Sequence, residues 1–386
     1  MDLNMKCDKL FETVDRLLDE HLDILEDVCK IESPTDYKEG VDRVGEYFIK
    51  YAEKKGWQVE VCEQKVAGNA VCITVNPNAK KAPIAVSGHM DTVHPVGSFK
   101  SPIVRREDGR MYGPGTVDCK GGIVCSLLAI NALCECGFSD RPILLILQSD
   151  EEKSSIPSGK ETIRFMCEKA KDAEAFLNAD GGYPDSAVLI RKGIMRLKLT
   201  VHGKAAHSAL CYNGASAIAE AAHKIIELEK MKDKQGLTCN CGMISGGSAP
   251  NVVADKCEFI ADIRFATIEE KERAYAEACR LAEHSIIEGC TCEVTEVSYR
   301  PPMEYSEKNE NLLKRMNEIY TENGLPEIKG ITANGGSDAA YTTISGIPTV
   351  DSTGVWGGFT HNPGEFIYMD SVATAAKRIA AVIYCI

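Results

Sequence analysis

The sequence predicts an α/β chain in which a larger domain, built on a mixed sheet, is interrupted by a smaller inserted one. Three observations carry this. Short apolar runs at 83–88, 143–147 and 175–179 each stop abruptly on polar residues, the pattern of strands buried on both faces of a parallel sheet. Segments with apolar positions at helical spacing stand before and between them. From about Lys192 the order becomes strand, helix, strand, strand, helix, strand, which is that of a ferredoxin-like domain. At 386 residues the chain is long enough for two domains, with expected boundaries of 1–191 and 301–386 for the larger and 192–300 for the insertion.

Taken in order, Leu10, Val14, Leu17, Leu18, Leu22, Leu25 and Val28 mark a first amphipathic helix, and Val41 to Lys55 a second that stops at Gly56. Trp57 to Val61 and Ala70 to Val75 alternate and are β-branched, so they read as a strand pair. The buried strand after them ends in Ser87-Gly88-His89-Met90-Asp91-Thr92-Val93. A glycine-rich turn, Gly113 to Gly122, presents Asp118 at the start of an apolar helix, Ile123 to Leu133. The next strand, Ile143 to Leu147, runs into Asp150-Glu151-Glu152, and a third reaches Asp180-Gly181-Gly182. In the insertion, strands are expected at 194–201, 237–244, 257–265 and 290–299, with helices at 215–231 and 268–287. Arg300-Pro301-Pro302 punctuates its end. A helix near 311–323, then His361-Asn362-Pro363-Gly364-Glu365 and a terminal helix, return to the first domain.

Composition narrows the function. A net charge of −13 gives no electrostatic support for a nucleic acid or an anionic membrane as partner. The first 25 residues are charged and amphipathic rather than signal-like, and no stretch reaches the roughly 20 apolar residues of a membrane span. The expectation is a cytoplasmic protein acting on a small molecule. Seventeen cysteines in such a chain are expected to remain thiols, most of them buried. The Cys-X-Cys pairs at 134/136, 239/241 and 290/292 lack the spacing and the histidines of a zinc cluster.

The polar clusters at the strand ends carry the chemistry. Parallel strands of an open sheet place ligands at their carboxyl ends. His89/Asp91, Asp118, Asp150/Glu151/Glu152 and Asp180 all fall there, with His361 returning near the end of the same domain. Singly, each reads as a satisfied turn residue. Together, two histidines and three or four carboxylates suit two divalent ions sharing a bridging carboxylate, an arrangement that activates water for hydrolysis. Asp91, two residues past His89 on an extended backbone, faces the same way and is placed to fix the imidazole tautomer.

These motifs, Ser87-Gly88-His89-Met90-Asp91-Thr92-Val93, the Gly115-X-X-Asp118-X-Lys120-Gly121-Gly122 turn and Asp150-Glu151-Glu152, resemble those of the M20 metallopeptidases. That group includes glutamate carboxypeptidase, tripeptidase T, succinyl-diaminopimelate desuccinylase and aminoacylase. The resemblance covers nearly the whole chain. It implies two metal ions, zinc with cobalt or manganese as alternatives, with Asp118 bridging. Glu152 and His361 would complete one site, and His89 and Asp180 the other. Glu151 would be the general base, with Asp91 supporting His89, and the Asp118-Cys119 peptide would be cis. Neighbouring side chains on an extended backbone diverge, which would let Glu152 face a metal and Glu151 the water.

In the insertion, Gly203-Lys204-Ala205-Ala206-His207-Ser208 resembles the segment whose histidine reaches the partner subunit's site and stabilises an oxyanion. Asn251 in Gly246 to Val252 matches a substrate-contacting asparagine. Arg264 in Asp262-Ile263-Arg264 matches an arginine that grips a substrate carboxylate, a task for which the planar guanidinium is suited. The resemblance thus implies a homodimer formed through the inserted domain. His94, His202, His21, His223 and His284 read as structural or exposed.

The expected activity is hydrolysis of a peptide or N-acyl amino acid amide bond. Arg264 favours a carboxypeptidase or deacylase acting on a free carboxylate. Asp180-Gly181-Gly182, as in the tripeptidase branch, favours an aminopeptidase instead. A non-catalytic binding protein of the same fold would have lost Glu151 or a ligand, and all are present. A dinucleotide enzyme would need Gly-X-Gly-X-X-Gly after the first strand, and Gly113-Pro114-Gly115 comes too late and lacks the third glycine.

Overall fold

The computed structural model describes residues 3–233 and 236–386. Two compact units share the chain. The first comprises Met1–Leu189, Tyr305–Thr332 and Tyr341–Ile386, and the second Ile190–Glu304 and Ala333–Ala340. The first begins with helices α1 (Leu3–Lys30) and α2 (Lys38–Lys55), strands β1 (Gln58–Cys62), β2 (Ala70–Val75) and β3 (Ile84–His89), and helix α3 (Lys120–Glu135). Strand β4 (Ile143–Gln148), helix α4 (Glu161–Ala170) and strand β5 (Ala175–Asn178) follow. The second unit supplies β6 (Gly193–His202), α5 (Ala217–Glu229), β7 (Thr238–Gly246), β8 (Lys256–Phe265), α6 (Ile268–Glu283) and β9 (Thr291–Arg300). The chain then returns with α7 (Glu307–Glu322), β10 (Thr349–Val350) and α8 (Met369–Cys385). No described helix is long and apolar enough to cross a membrane.

The sheet of the first unit has the order β1-β2-β4-β3-β5-β10 and is mixed. Strands β4, β3, β5 and β10 run parallel, and β1 and β2 extend it antiparallel. The register pairs His89 with Gln148 and Ser87 with Asn178, so β3, β4 and β5 end at one edge. Residues just past those ends therefore meet in space. All six residues of β3 and of β4 are buried, as continuous apolar runs in a doubly covered sheet must be.

Helix α3 shows why a helix can be apolar on every face. It is buried from Lys120 to Leu133, packed between α1, α8 and the sheet. Each fully buried Leu, Ile or Val there contributes about 1.5–3 kcal/mol. Its first turn requires glycine. A Cβ on Gly122 would lie 1.6 Å from the Ala179 carbonyl oxygen, and one on Gly121 2.1 Å from that of Thr116. Helix and strand-end turn thus approach to backbone contact, which brings the Asp118 and Asp180 segments together. The buried Lys120 ammonium donates to the Val28 and Ile31 carbonyls (3.1 and 2.7 Å), satisfying acceptors at the end of α1.

The sheet of the second unit has the order β7-β8-β6-β9 and is antiparallel throughout, the strand order of a ferredoxin-like fold. Alternate residues of β8 are buried, among them Phe259, Ile263 and Phe265, and α5 and α6 cover that face. The segment 333–340 follows the return of the chain to the first unit, yet it clusters with the second, where Ala339 and Ala340 pack on Met303.

Candidate metal centre

The candidate ligands of the first unit converge at the carboxyl edge of its sheet. His89 is the last residue of β3, and its Nε2 lies 3.0 Å from Asp118 Oδ1. His361 approaches the other carboxylate oxygen, its Nε2 3.2 Å from Asp118 Oδ2 and 3.5 Å from Glu152 Oε2. Ligand atoms of His89, Asp118 and Glu152 lie within 4.8 Å of one another, and so do those of His89, Cys119 and Asp180. Among the described residues no other group of three such side chains brings its ligand atoms so close. The Asp118-Cys119 peptide is cis. His361 has φ 62°, a left-handed backbone that for a non-glycine residue costs about 1–3 kcal/mol and persists where its surroundings enforce it.

The donor chemistry fits divalent cations. His89 Nδ1 donates to the main-chain oxygen of Asp91 at 3.0 Å, with the Asp91 carboxylate at 3.3 Å, which leaves the Nε2 lone pair directed at Asp118. Glu152 is pushed well above the usual carboxylate range, first by burial and then by the charge of Asp118. Its Oε1 is buried without a hydrogen-bond partner. With His89 neutral, as ligation requires, its lone pair and two close carboxylates face one another, a donor set suited to a cation. Separations of 3.0–3.5 Å suit atoms sharing an ion at about 2.0–2.2 Å each. Burial opposes ionisation of Asp118, but the neighbouring His361 and His89 imidazoles outweigh that and hold its carboxyl below the usual range.

The adjacent acids separate differently from the extended backbone expected for them. Glu151–Lys153 is one turn of 3₁₀ helix. Asp91 pins that turn, its carboxylate accepting from the Glu151 and Glu152 N–H groups (3.2 Å each) and from Thr35 Oγ1 (2.7 Å). Asp91 therefore serves both His89 and the acidic turn. Asp150 points inward, accepting from Ser158 N (2.9 Å) and Thr162 Oγ1 (2.8 Å) at the head of α4. Burial pushes the Cys119 thiol up to about 12, and its sulfur accepts the His89 N–H at 2.9 Å. Beside Glu152 a cavity of about 400 Å³ opens, lined in part by Tyr37, Val93, Val96 and Lys153.

Glu365 belongs to none of the motifs that mark the site in the sequence. This buried carboxylate receives main-chain N–H groups from Gly115, Val117 and Asp118. Its partner His94, expected to be structural or exposed, is buried with Nε2 2.8 Å from Glu365. The one signal in the sequence was an acid four residues past His361.

In the second unit His207 and Asn251 are exposed neighbours. His207 forms an isolated bridge with Val252, Ser208 N donates to the Asn251 oxygen (2.9 Å), and His207 Nδ1 accepts from Ala209 N (3.2 Å). Arg264 is not with them. It stands eight residues along β8 from Lys256, about 26 Å at 3.3 Å per residue, at the opposite end of the sheet. Its Nε and Nη2 already engage the Asp262 carboxylate (2.6 and 3.3 Å).

A carboxylate set between two imidazoles, with further buried acids at the edge of an α/β sheet, has the donor set of a metal-dependent hydrolase. The chain belongs to Peptidase family M20/M25/M40, whose profile matches residues 85–384. It is 28% identical over 371 residues to carboxypeptidase G2 of Pseudomonas sp. (strain RS-16), covering 93% of this chain and 87% of that protein. Its fold is similar to that of a tripeptidase from Staphylococcus aureus subsp. aureus Mu50, with TM-score 0.79, 23% identity, and 95% and 97% of the two chains covered. It is likewise similar to a dinuclear metal binding peptidase from the M20 family of Bacillus subtilis, with TM-score 0.70, 15% identity, and 96% and 98% covered. The protein is thus an M20 metallopeptidase, a metal-dependent hydrolase of peptide or amide bonds.

Proposed function

We propose that this enzyme is carboxypeptidase- or deacylase-like, cleaving an amide bond in a small peptide or N-acyl amino acid that carries a free carboxylate. The observation that carries this reading is the likeness to carboxypeptidase G2 over 93% of the chain. Asp118 would hold two divalent ions, zinc being the proposed metal and cobalt or manganese the alternatives. His89 and Asp180 would complete one site, and Glu152 and His361 the other. Such ions polarise the scissile carbonyl and lower the pKa of a water.

The remaining steps belong to side chains. Glu151, buried at the turn beside Glu152, takes a proton from the attacking water as the carbon–oxygen bond forms. It returns that proton to the amine nitrogen as the carbon–nitrogen bond breaks. Asp91 keeps His89 in its tautomer. The acyl side of the substrate occupies the cavity beside Glu152, whose Tyr37, Val93 and Val96 walls suit an apolar group. Arg264 grips the substrate carboxylate through its Nη1 edge, the other edge being held by Asp262. His207 and Asn251 contact the substrate from the inserted domain, which forms a homodimer. Within one chain this pair lies at the end of the sheet opposite Arg264.

A second reading, a tripeptidase-like aminopeptidase, is favoured by Asp180 in the place where carboxypeptidase relatives tend to have glutamate. The test is an assay of N-acyl amino acids with acyl groups of increasing size, dipeptides and tripeptides, each with free and amidated carboxyl ends. Cleavage restricted to free carboxylates supports the first reading. Cleavage that requires a free amine and tolerates amidation supports the second.

A further inference from the structure

Glu365 is fully buried, and every hydrogen bond that its side chain makes serves a loop of the metal centre. Oε1 accepts from the N–H groups of Val117 (2.9 Å) and Asp118 (3.1 Å). Oε2 accepts from Gly115 N (3.1 Å) and lies 2.8 Å from His94 Nε2. Its main-chain oxygen accepts from Gly113 N (3.1 Å), and its own N–H donates to the Asn362 oxygen (2.9 Å), next to His361. His94 stands three residues past Asp91 on the segment that leaves β3, its ring edge-on to Phe99 with centroids 4.9 Å apart. A single carboxylate thus joins three segments: the turn carrying Asp118, the extension of the strand carrying His89, and the loop carrying His361.

We propose that Glu365, held in place by His94, is the positioning residue of the metal centre. It folds Gly115 to Asp118 around its two oxygens so that the Asp118 carboxylate stands between the two imidazoles. The physical case is one of satisfaction. Three main-chain N–H groups converging in a buried turn need acceptors, and a carboxylate meets them with stronger bonds than a neutral group would. A neutral amide at 365 would turn an NH₂ toward one of the two donor pairs and lose it. Partners that orient a metal ligand in this way typically change metal affinity 10–100-fold when removed.

The inference rests on the reading of Asp118 as the shared ligand, so the test uses metal binding rather than hydrolysis and includes Asp118 itself. Metal-depleted wild type, Glu365→Ala, Glu365→Gln, His94→Phe and Asp118→Asn would be titrated with cobalt(II), following its visible absorption. Folding would be checked by circular dichroism. Glu365→Ala is expected to weaken cobalt binding 10–100-fold and to alter the absorption bands, with Glu365→Gln and His94→Phe weakened less. Wild-type affinity and bands in Glu365→Ala, alongside loss in Asp118→Asn, would overturn the positioning role. Wild-type binding in Asp118→Asn would overturn the shared-ligand reading instead. Should Glu365→Ala fail to fold, unchanged cobalt binding in both Glu365→Gln and His94→Phe would overturn the proposal, and weakened binding would support it.

Discussion

The carboxylate of Asp118 presents one oxygen to each of two histidines, Oδ2 lying 3.2 Å from His361 Nε2 while Oδ1 lies 3.0 Å from His89 Nε2. The two imidazoles come from positions 272 residues apart (361 − 89), and nothing local in the sequence joins them. The fold does so by ending β3 beside the turn that opens α3 and by returning the chain over both.

The two acids of the 151–152 turn should separate by experiment. Glu151→Gln is expected to keep its metal content and lose turnover by on the order of 10²–10⁴. Glu152→Gln should lose metal, since its carboxylate lies 3.5 Å from His361. Metal analysis beside kcat measures both, and near-normal turnover in Glu151→Gln would reverse the assignment.

Arg264→Ala should discriminate between substrate ends. Loss of a guanidinium from a desolvated carboxylate costs roughly 2–5 kcal/mol in binding. The loss should appear in kcat/KM for free carboxylates and nearly vanish for amidated ones. An equal loss for both would leave Arg264 with its Asp262 pairing as its whole role.

Composite sites can be tested by subunit mixing. Glu151→Gln and His207→Ala homodimers are each expected to be inactive. After dissociation and random reassortment half the dimers are mixed, each with one intact site, so about a quarter of wild-type activity should return. No recovery despite demonstrated exchange would confine His207 to its own chain.

Gly122→Ala tests the packing that sets the site. A Cβ there would lie 1.6 Å from the Ala179 oxygen, a backbone atom beside Asp180. Relief requires helix α3 or the 179–182 turn to move. The expected cost is about 1–3 kcal/mol of stability or more, with weakened metal binding. A variant as stable as wild type by thermal unfolding would show that this approach is not as close as described.

The sheet was legible in the sequence because β3, β4 and β5 are continuous apolar runs with abrupt polar ends, a local pattern that burial on both faces requires. The inserted unit was legible from the order of its elements. What was not legible depends on contacts distant in the chain. Asp150, Glu151 and Glu152 form one acidic string in the sequence, and only the 3₁₀ turn pinned by Asp91 sends the first inward. Helix α3 begins at Lys120, three residues before its apolar run, because Gly121 and Gly122, expected in a turn, belong to its first helical turn. Glu365 meets the Asp118 turn across 247 residues, so no spacing rule could connect them. The separation of Arg264 from Asn251 follows from strand register, which sequence motifs do not carry.

The proposed hydrolysis depends on two metal ions that share Asp118. The most direct measurement is metal content per chain together with amide hydrolysis, before and after chelation, in wild type and in Asp118→Asn. Two divalent ions per wild-type chain, activity abolished by chelation and restored by zinc, cobalt or manganese, and loss of both metal and activity in Asp118→Asn are the predicted results. Undiminished hydrolysis in excess chelator, with no metal bound, would contradict the account.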